Sequence, residues 1–162
     1  VNVLHVLGGT TAPAASSSRF GSFGIGPGYS ATENMQIDAR SSGTVSLLGG
    51  YVSAYDRAAG EVRLRKNAAD GNSVAAVSAA GQVEDTTGTD AVAAADSLVK
   101  EWTVGSGGTV STMESIWHLW APGAGTVCYI TRGGSTLSGT GDRYPHLASN
   151  NGTPGTTQAD GQ

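Results

Sequence analysis

Three histidines, one acidic cluster and a set of tryptophans and tyrosines are the residues here whose types could do chemistry, and their spacing decides which chemistry is open. His5, His118 and His146 lie far apart in the chain, none at the spacing by which imidazoles share a metal ion. His5 and His118 fall within strand patterns, so satisfied core or edge histidines are expected. Glu84, Asp85 and Asp90 bracket Thr86-Thr87-Gly88-Thr89, but the alternating ligands and closing bidentate glutamate of a calcium loop are missing. A turn with acidic caps is expected there, with a weak divalent-ion site near Asp85 and Asp90 as the alternative.

Nucleophilic and phosphate-binding arrangements fare no better. Gly24-Ile25-Gly26-Pro27-Gly28 resembles a phosphate loop in glycine content only, because Pro27 removes an amide donor and no Lys-Ser/Thr pair closes it. No Gly-x-Ser-x-Gly elbow is present. The single cysteine, Cys128, cannot form an internal disulfide, and its strand-forming neighbours Val127, Tyr129 and Ile130 point to a small buried hydrophobe. The expectation is a protein with no catalytic residues, no metal and no cofactor. Aromatic side chains leave one binding chemistry open, the stacking of sugar rings. Trp102, Trp117 and Trp120 sit among alternating apolar residues and read as core, which leaves Tyr51 and Tyr55 as the candidates for glycan contact.

Composition sets bounds on partners. Lys plus Arg number 9 against 13 Asp plus Glu, a net charge of -4, so the chain lacks the basic footprint that grips phosphate and no nucleic-acid partner is expected. No apolar run approaches the ~18 residues that span a bilayer, so no membrane partner is expected either. Charged residues are 14% of the chain and glycines 25 of 162, a neutral, turn-rich text that favours sandwiches and extended loops.

The elements that would carry these residues are short strands. Residues 61–67 alternate polar and apolar, with Val62 and Leu64 on one face, and stop at a turn expected over residues 68–72. Val45, Leu47 and Tyr51 share one face of a strand after Gly43, with Leu48 and Val52 on the other across a Gly49-Gly50 pair that predicts a bulge. Leu98, Trp102 and Val104 share a face of a later strand, and the alanine-rich stretch before it reads as a turn into that strand. The strand ending in Ile116, Trp117, Leu119 and Trp120 is apolar on both faces, as befits a sandwich interior or a subunit interface.

The predicted fold is therefore all-β, a jelly-roll-like antiparallel β-sandwich with extended arms at both ends. Its sandwich would occupy residues 1–122, including an N-terminal arm over 1–40 with a first strand to Leu7 and a turn over Gly8 to Pro13. A C-terminal extension, 123–162, would follow. Tyr129 to Thr136 echoes His5 to Thr11, and Arg143 to Leu147 echoes Arg19 to Phe23, so the C-terminal arm reads as a partial copy of the N-terminal one without a core of its own. Such an arm would find its partner in a neighbouring subunit's sheet by strand addition.

A succession of short motifs carries a resemblance. The Gly-Gly-Thr after the first strand, Ser-Arg-Phe at 18–20, Ser-Gly-Thr-Val-Ser at 42–46, Leu-Arg-Lys-Asn at 64–67, Glu-Asp-Thr-Thr-Gly-Thr at 84–89 and Ala-Ala-Asp-Ser-Leu-Val at 94–99 together resemble a jelly-roll module of tailed-phage virion proteins. Ala95 departs from that pattern, which has glycine before the aspartate. The resemblance implies a non-enzymatic capsid decoration or cement protein, or a module of a fibre or tail, on the outer surface of a virion. It would act as a homo-oligomer, with a trimer expected, against a major capsid protein or other virion proteins. Candidate subunit contacts are Val3, Leu7, Phe20, Phe23, Ile130, Tyr144 and Leu147. The alternatives are a fibre or tail module that binds host glycans, and a self-assembling extracellular filament subunit that uses strand addition.

Overall fold

The computed structural model describes residues 2–22, 29–33, 36–39 and 41–123. Eleven strands and no helix make up these residues: β1 (Val3–Thr11), β2 (Ser18–Ser22), β3 (Tyr29–Ser30), β4 (Ile37–Asp38), β5 (Gly43–Tyr55), β6 (Gly60–Lys66), β7 (Ala69–Val77), β8 (Gly81–Asp85), β9 (Asp90–Val92), β10 (Ser97–Thr103) and β11 (Ser111–Pro122). They form two antiparallel sheets packed face to face. Sheet A runs β1-β11-β5-β8 with β9 also on β5; sheet B runs β3-β2-β10-β6-β7 with β4 on β10. The sandwich is thus the expected fold.

Alternation in the sequence becomes the inside and outside of the sandwich. In β6, Val62 and Leu64 are fully buried while Glu61, Arg63 and Arg65 face outward. Val45, Leu48 and Val52 of β5, Leu98 and Trp102 of β10, Val104 just after it, and Met113, Ile116 and Trp120 of β11 join them in one core. At ~25 cal/mol per Å² of apolar surface removed from water, this shared core is what holds the sheets together.

Several expectations are corrected. The first strand does not end at Leu7: β1 continues to Thr11 through a bulge between Gly8 and Thr11, so the expected turn at Gly8 is extended chain. Nor do residues 2–22 form an arm. β1 is hydrogen-bonded to β11 and β2 to β10, one in each sheet of the chain's own sandwich. The bulge of β5 lies at Leu47 rather than at the glycine pair: Leu47 has φ 48°, and the pairing jumps from Trp117↔Gly49 to Leu119↔Ser46. That extra residue reverses the parity of the strand, which is why Val45 and Leu48 both reach the core, Leu47 does not, and Tyr51 is left outside.

Gly49 and Gly50 have a different task, since a Cβ on Gly49 would lie 2.8 Å from the Trp117 ring and one on Gly50 2.8 Å from Met113 Sδ. The reversal after β6 is also tighter than residues 68–72. It is made by Asn67 and Ala68, with φ 54° and 62°, the double left-handed geometry of a two-residue hairpin.

Two of the sequence motifs meet in space. Asn67 Nδ2 donates to Asp96 Oδ1 at 2.7 Å, Ser97 N donates to Asn67 Oδ1 at 2.8 Å, and Ala93 N donates to Asp96 Oδ2 at 2.8 Å. The asparagine that ends one strand thereby locks the turn that opens another. Ala95 within that turn has φ 73°, a conformation natural to glycine and strained for alanine.

Candidate functional site

The outer faces of the two sheets differ in kind. On sheet B the outward rows of β6 and β10 carry a charge network: Arg65 Nε and Nη2 donate to the Glu33 carboxylate at 3.0 and 3.1 Å, Arg63 Nε donates to Glu61 at 2.8 Å, and Asp70 and Glu101 sit within ion-pair distance. The hydrogen bonds that Arg65 donates to Glu33 and Arg63 to Glu61 hold both guanidinium groups above their ordinary values, against the opposing effect of burial. The charged side chains of this face pair with one another.

Sheet A has an apolar outer face. Register sets Leu4 of β1 opposite Leu119 of β11, and Val6 opposite Trp117. Leu4 is 56% exposed and Val6 42%, while Leu119 and Trp117 are half-buried beside them. Gly49 of β5 follows Trp117 in the same row, and its missing side chain lets the indole lie flat across the strand. Trp117 Nε1 donates to Glu84 of β8 at 3.1 Å, which fixes the ring against the sheet. Tyr51, 46% exposed, lies in the next row between Ser115 and Gln82. Leu4, Val6, Trp117, Leu119 and Tyr51 therefore form one strip across three strands, with Glu84 as its charged margin. β1 bounds the strip and, among the described residues, has a strand neighbour on one side only.

The candidate residues from the sequence fall out as follows. Leu7 is fully buried within its own chain, and a side chain on Gly21 of β2 would run into it, so it has no surface to offer a neighbour. Val3 is half-buried at the inner margin, opposite Trp120. Phe20 is half-buried on the outer face of sheet B, in register with Glu101 and Ser30. Phe23, Ile130, Tyr144 and Leu147 lie outside the described residues, as do Cys128, His146, the glycine-rich loop and the C-terminal extension beyond Gly123. Tyr51 is exposed as expected. Tyr55 is committed to the fold: its hydroxyl donates to Ala58 O at 2.6 Å and accepts from Gly105 N at 3.2 Å.

The acidic residues cap turns. Asp90, 3% exposed, accepts from Asn72 N and Ser73 N at 2.7 and 2.8 Å. Asp85 accepts from Val74 N, Thr87 N and Gly88 N; burial alone would raise its carboxyl, but hydrogen bonds from Gly88, Val74 and Thr87 outweigh burial and hold it below the usual range. With these oxygens committed to amides, a divalent ion would have to displace hydrogen bonds that hold β7 to its neighbours. Among the described residues, no group of three or more His, Cys, Asp or Glu could hold a metal ion, and no helix is long and apolar enough to cross a membrane.

Sequence reasoning missed the strip by one position. It chose Val3 and Leu7, which share the inward parity of β1, where Leu4 and Val6 have the outward one; a strand reading Val-Leu-His-Val-Leu is apolar on both faces and does not declare its parity. It also set Trp117 in the core with Trp102 and Trp120, and only those two are buried. No family model, no curated protein and no solved structure matches the chain.

Proposed function

We propose that this chain is a non-enzymatic structural protein of a virion, a capsid decoration or cement protein, whose copies assemble with one another as a trimer and stabilise a shell. The observation that carries the reading is the apolar strip of Leu4, Val6, Trp117, Leu119 and Tyr51 on the outer face of sheet A, beside a β1 edge that no strand covers among the described residues and opposite a face covered in ion pairs. Contiguous exposed apolar surface of this kind marks contact sites, and the charged face of sheet B would remain toward water. The strip is the place for another copy of this chain, seated by apolar burial and by main-chain hydrogen bonds along β1. The low overall charge favours dense packing, because close copies repel one another weakly. The virion setting is supported by the motifs that resemble phage jelly-roll modules.

The test is binding of the purified chain to virus particles stripped of it. Saturable binding by a trimeric free form supports the proposal; a monomer that leaves such particles bare refutes it. Exposed Tyr51 beside the Trp117 ring favours one second reading, a glycan-binding fibre or tail module. Glycan-array binding that disappears in Tyr51→Ala would favour that reading instead.

A further inference from the structure

β7 ends sheet B, with β6 on one flank and, among the described residues, no strand on the other. Packed against it from sheet A are β8 and β9, which share one flank of β5. β8 ends on Asp85 and β9 begins on Asp90, so the connection over residues 86–89 carries a carboxylate at each end. Both carboxylates reach across to β7. Asn72 N and Ser73 N donate to Asp90 Oδ1 and Oδ2 at 2.7 and 2.8 Å, and Val74 N donates to Asp85 Oδ2 at 2.8 Å.

The ladder between β6 and β7 is interrupted at the same place. Arg63 pairs with Val74 and Arg65 with Asp70, so residues 71–73 stand against the single residue Leu64. A bulge of this kind takes amides out of the ladder, and the two aspartates supply the acceptors it lacks. The connection itself lies close over the strand: a Cβ on Gly88 would be 2.8 Å from Asn72 O and 3.0 Å from Ser73 Cα. Asp85 Oδ1 holds it there by accepting from Thr87 N and Gly88 N at 2.9 and 2.8 Å. β1, the edge strand at the far end of sheet A, differs in kind, with no Asp, Glu, Lys or Arg from Val3 to Thr11.

We propose that Asp85, Asp90 and the connection between them form an edge guard, which occupies the β7 amides and so closes sheet B to strand addition by the β7 of a second copy of this chain. Unpaired main-chain amides along an edge are what an incoming strand binds. Here that strand would have to exchange hydrogen bonds to carboxylates for weaker ones to neutral carbonyls, and no exchange of that sign is favourable. Without the carboxylates the amides are stranded, and the carbonyls of a second copy become their best acceptors. Association of copies is thereby kept away from this side of the sandwich. The guard rests on the β7 side alone and holds whatever the strip of sheet A binds.

The test is sedimentation velocity over a concentration series on the full chain carrying Asp85→Ala and Asp90→Ala. Val6→Asp is present in every sample, so that contact through the strip does not contribute and its failure is read separately. The expected result is association at least about tenfold tighter than that of Val6→Asp alone, and loss of the gain when Val74→Pro removes a donor from the β7 edge. Amide hydrogen exchange of the unsubstituted chain gives a second readout that needs no variant to fold: Asn72, Ser73 and Val74 amides should be as protected as the ladder amides of β6, although β7 is an edge strand. Unchanged association, a gain that survives Val74→Pro, or fast exchange of these amides in the unsubstituted chain would each overturn the guard.

Discussion

Val6→Asp is the perturbation that separates a docking face from ordinary surface. In the isolated subunit Val6 is 42% exposed and its main contact is the cross-strand pair with Trp117. Losing such a pair costs roughly 0.2–1 kcal/mol, a melting shift of at most about 2–4 °C for a domain this size. In the assembly the same position is covered. The remaining exposed part of a valine side chain contributes roughly 1 kcal/mol on burial, and a carboxylate enclosed there adds a desolvation penalty of several kcal/mol. Association should therefore weaken by at least about a hundredfold, ~2.8 kcal/mol at 1.4 kcal/mol per decade. Sedimentation velocity over a concentration series measures it, with a thermal melt to check the fold. Val110→Asp is the control, since Val110 is 38% exposed in the loop before β11 and off the strip; it should leave association unchanged. If Val6→Asp assembles like the unsubstituted chain with an intact melt, the reasoning about the strip fails.

Other substitutions probe how the fold presents that face. Asp90→Ala strands the Asn72 and Ser73 amides and should lower stability by about 2–4 kcal/mol in chemical denaturation. Ala95→Gly and Ala68→Gly, at φ 73° and 62°, should each raise stability by up to about 1 kcal/mol, the opposite of the usual effect of glycine within a strand protein. Gly49→Ala drives a methyl toward the Trp117 ring and Val83 O, at 2.8 and 2.5 Å, and should cost about 1–3 kcal/mol and alter tryptophan fluorescence as the indole leaves Glu84. The fall of Lys100 from 10.5 to about 7 predicts that Lys100→Met removes a pH-dependent loss of stability worth about 5 kcal/mol over that range, seen as flatter denaturation midpoints against pH.

Strand alternation was legible where one face is charged and the other apolar. Residues 61–67 announced β6 because Arg63 and Arg65 could face only water. It failed where both faces are apolar, as in β1, whose parity is settled only by the partner strand β11. A bulge defeats alternation for another reason: one residue at Leu47 with a left-handed φ exchanges the faces of the residues that follow it as far as Val52, and no residue type there declares it. Lys100 was legible as an anomaly, a lysine in step with Leu98, Trp102 and Val104. The meeting of His5 with His118 was not, because strand register joins residues remote in sequence. The glycine expected before Asp96 was an informative absence, since Ala95 adopts the backbone conformation that a glycine would hold at no cost.

The most direct measurement is a density map of the native assembly, at a resolution sufficient to orient the sandwich. The account predicts the strip of Leu4, Val6, Trp117, Leu119 and Tyr51 pressed against a neighbouring copy, with the Arg63 and Arg65 face turned to solvent. A map in which the strip faces open water while the ion-paired face of sheet B makes the contacts would contradict it.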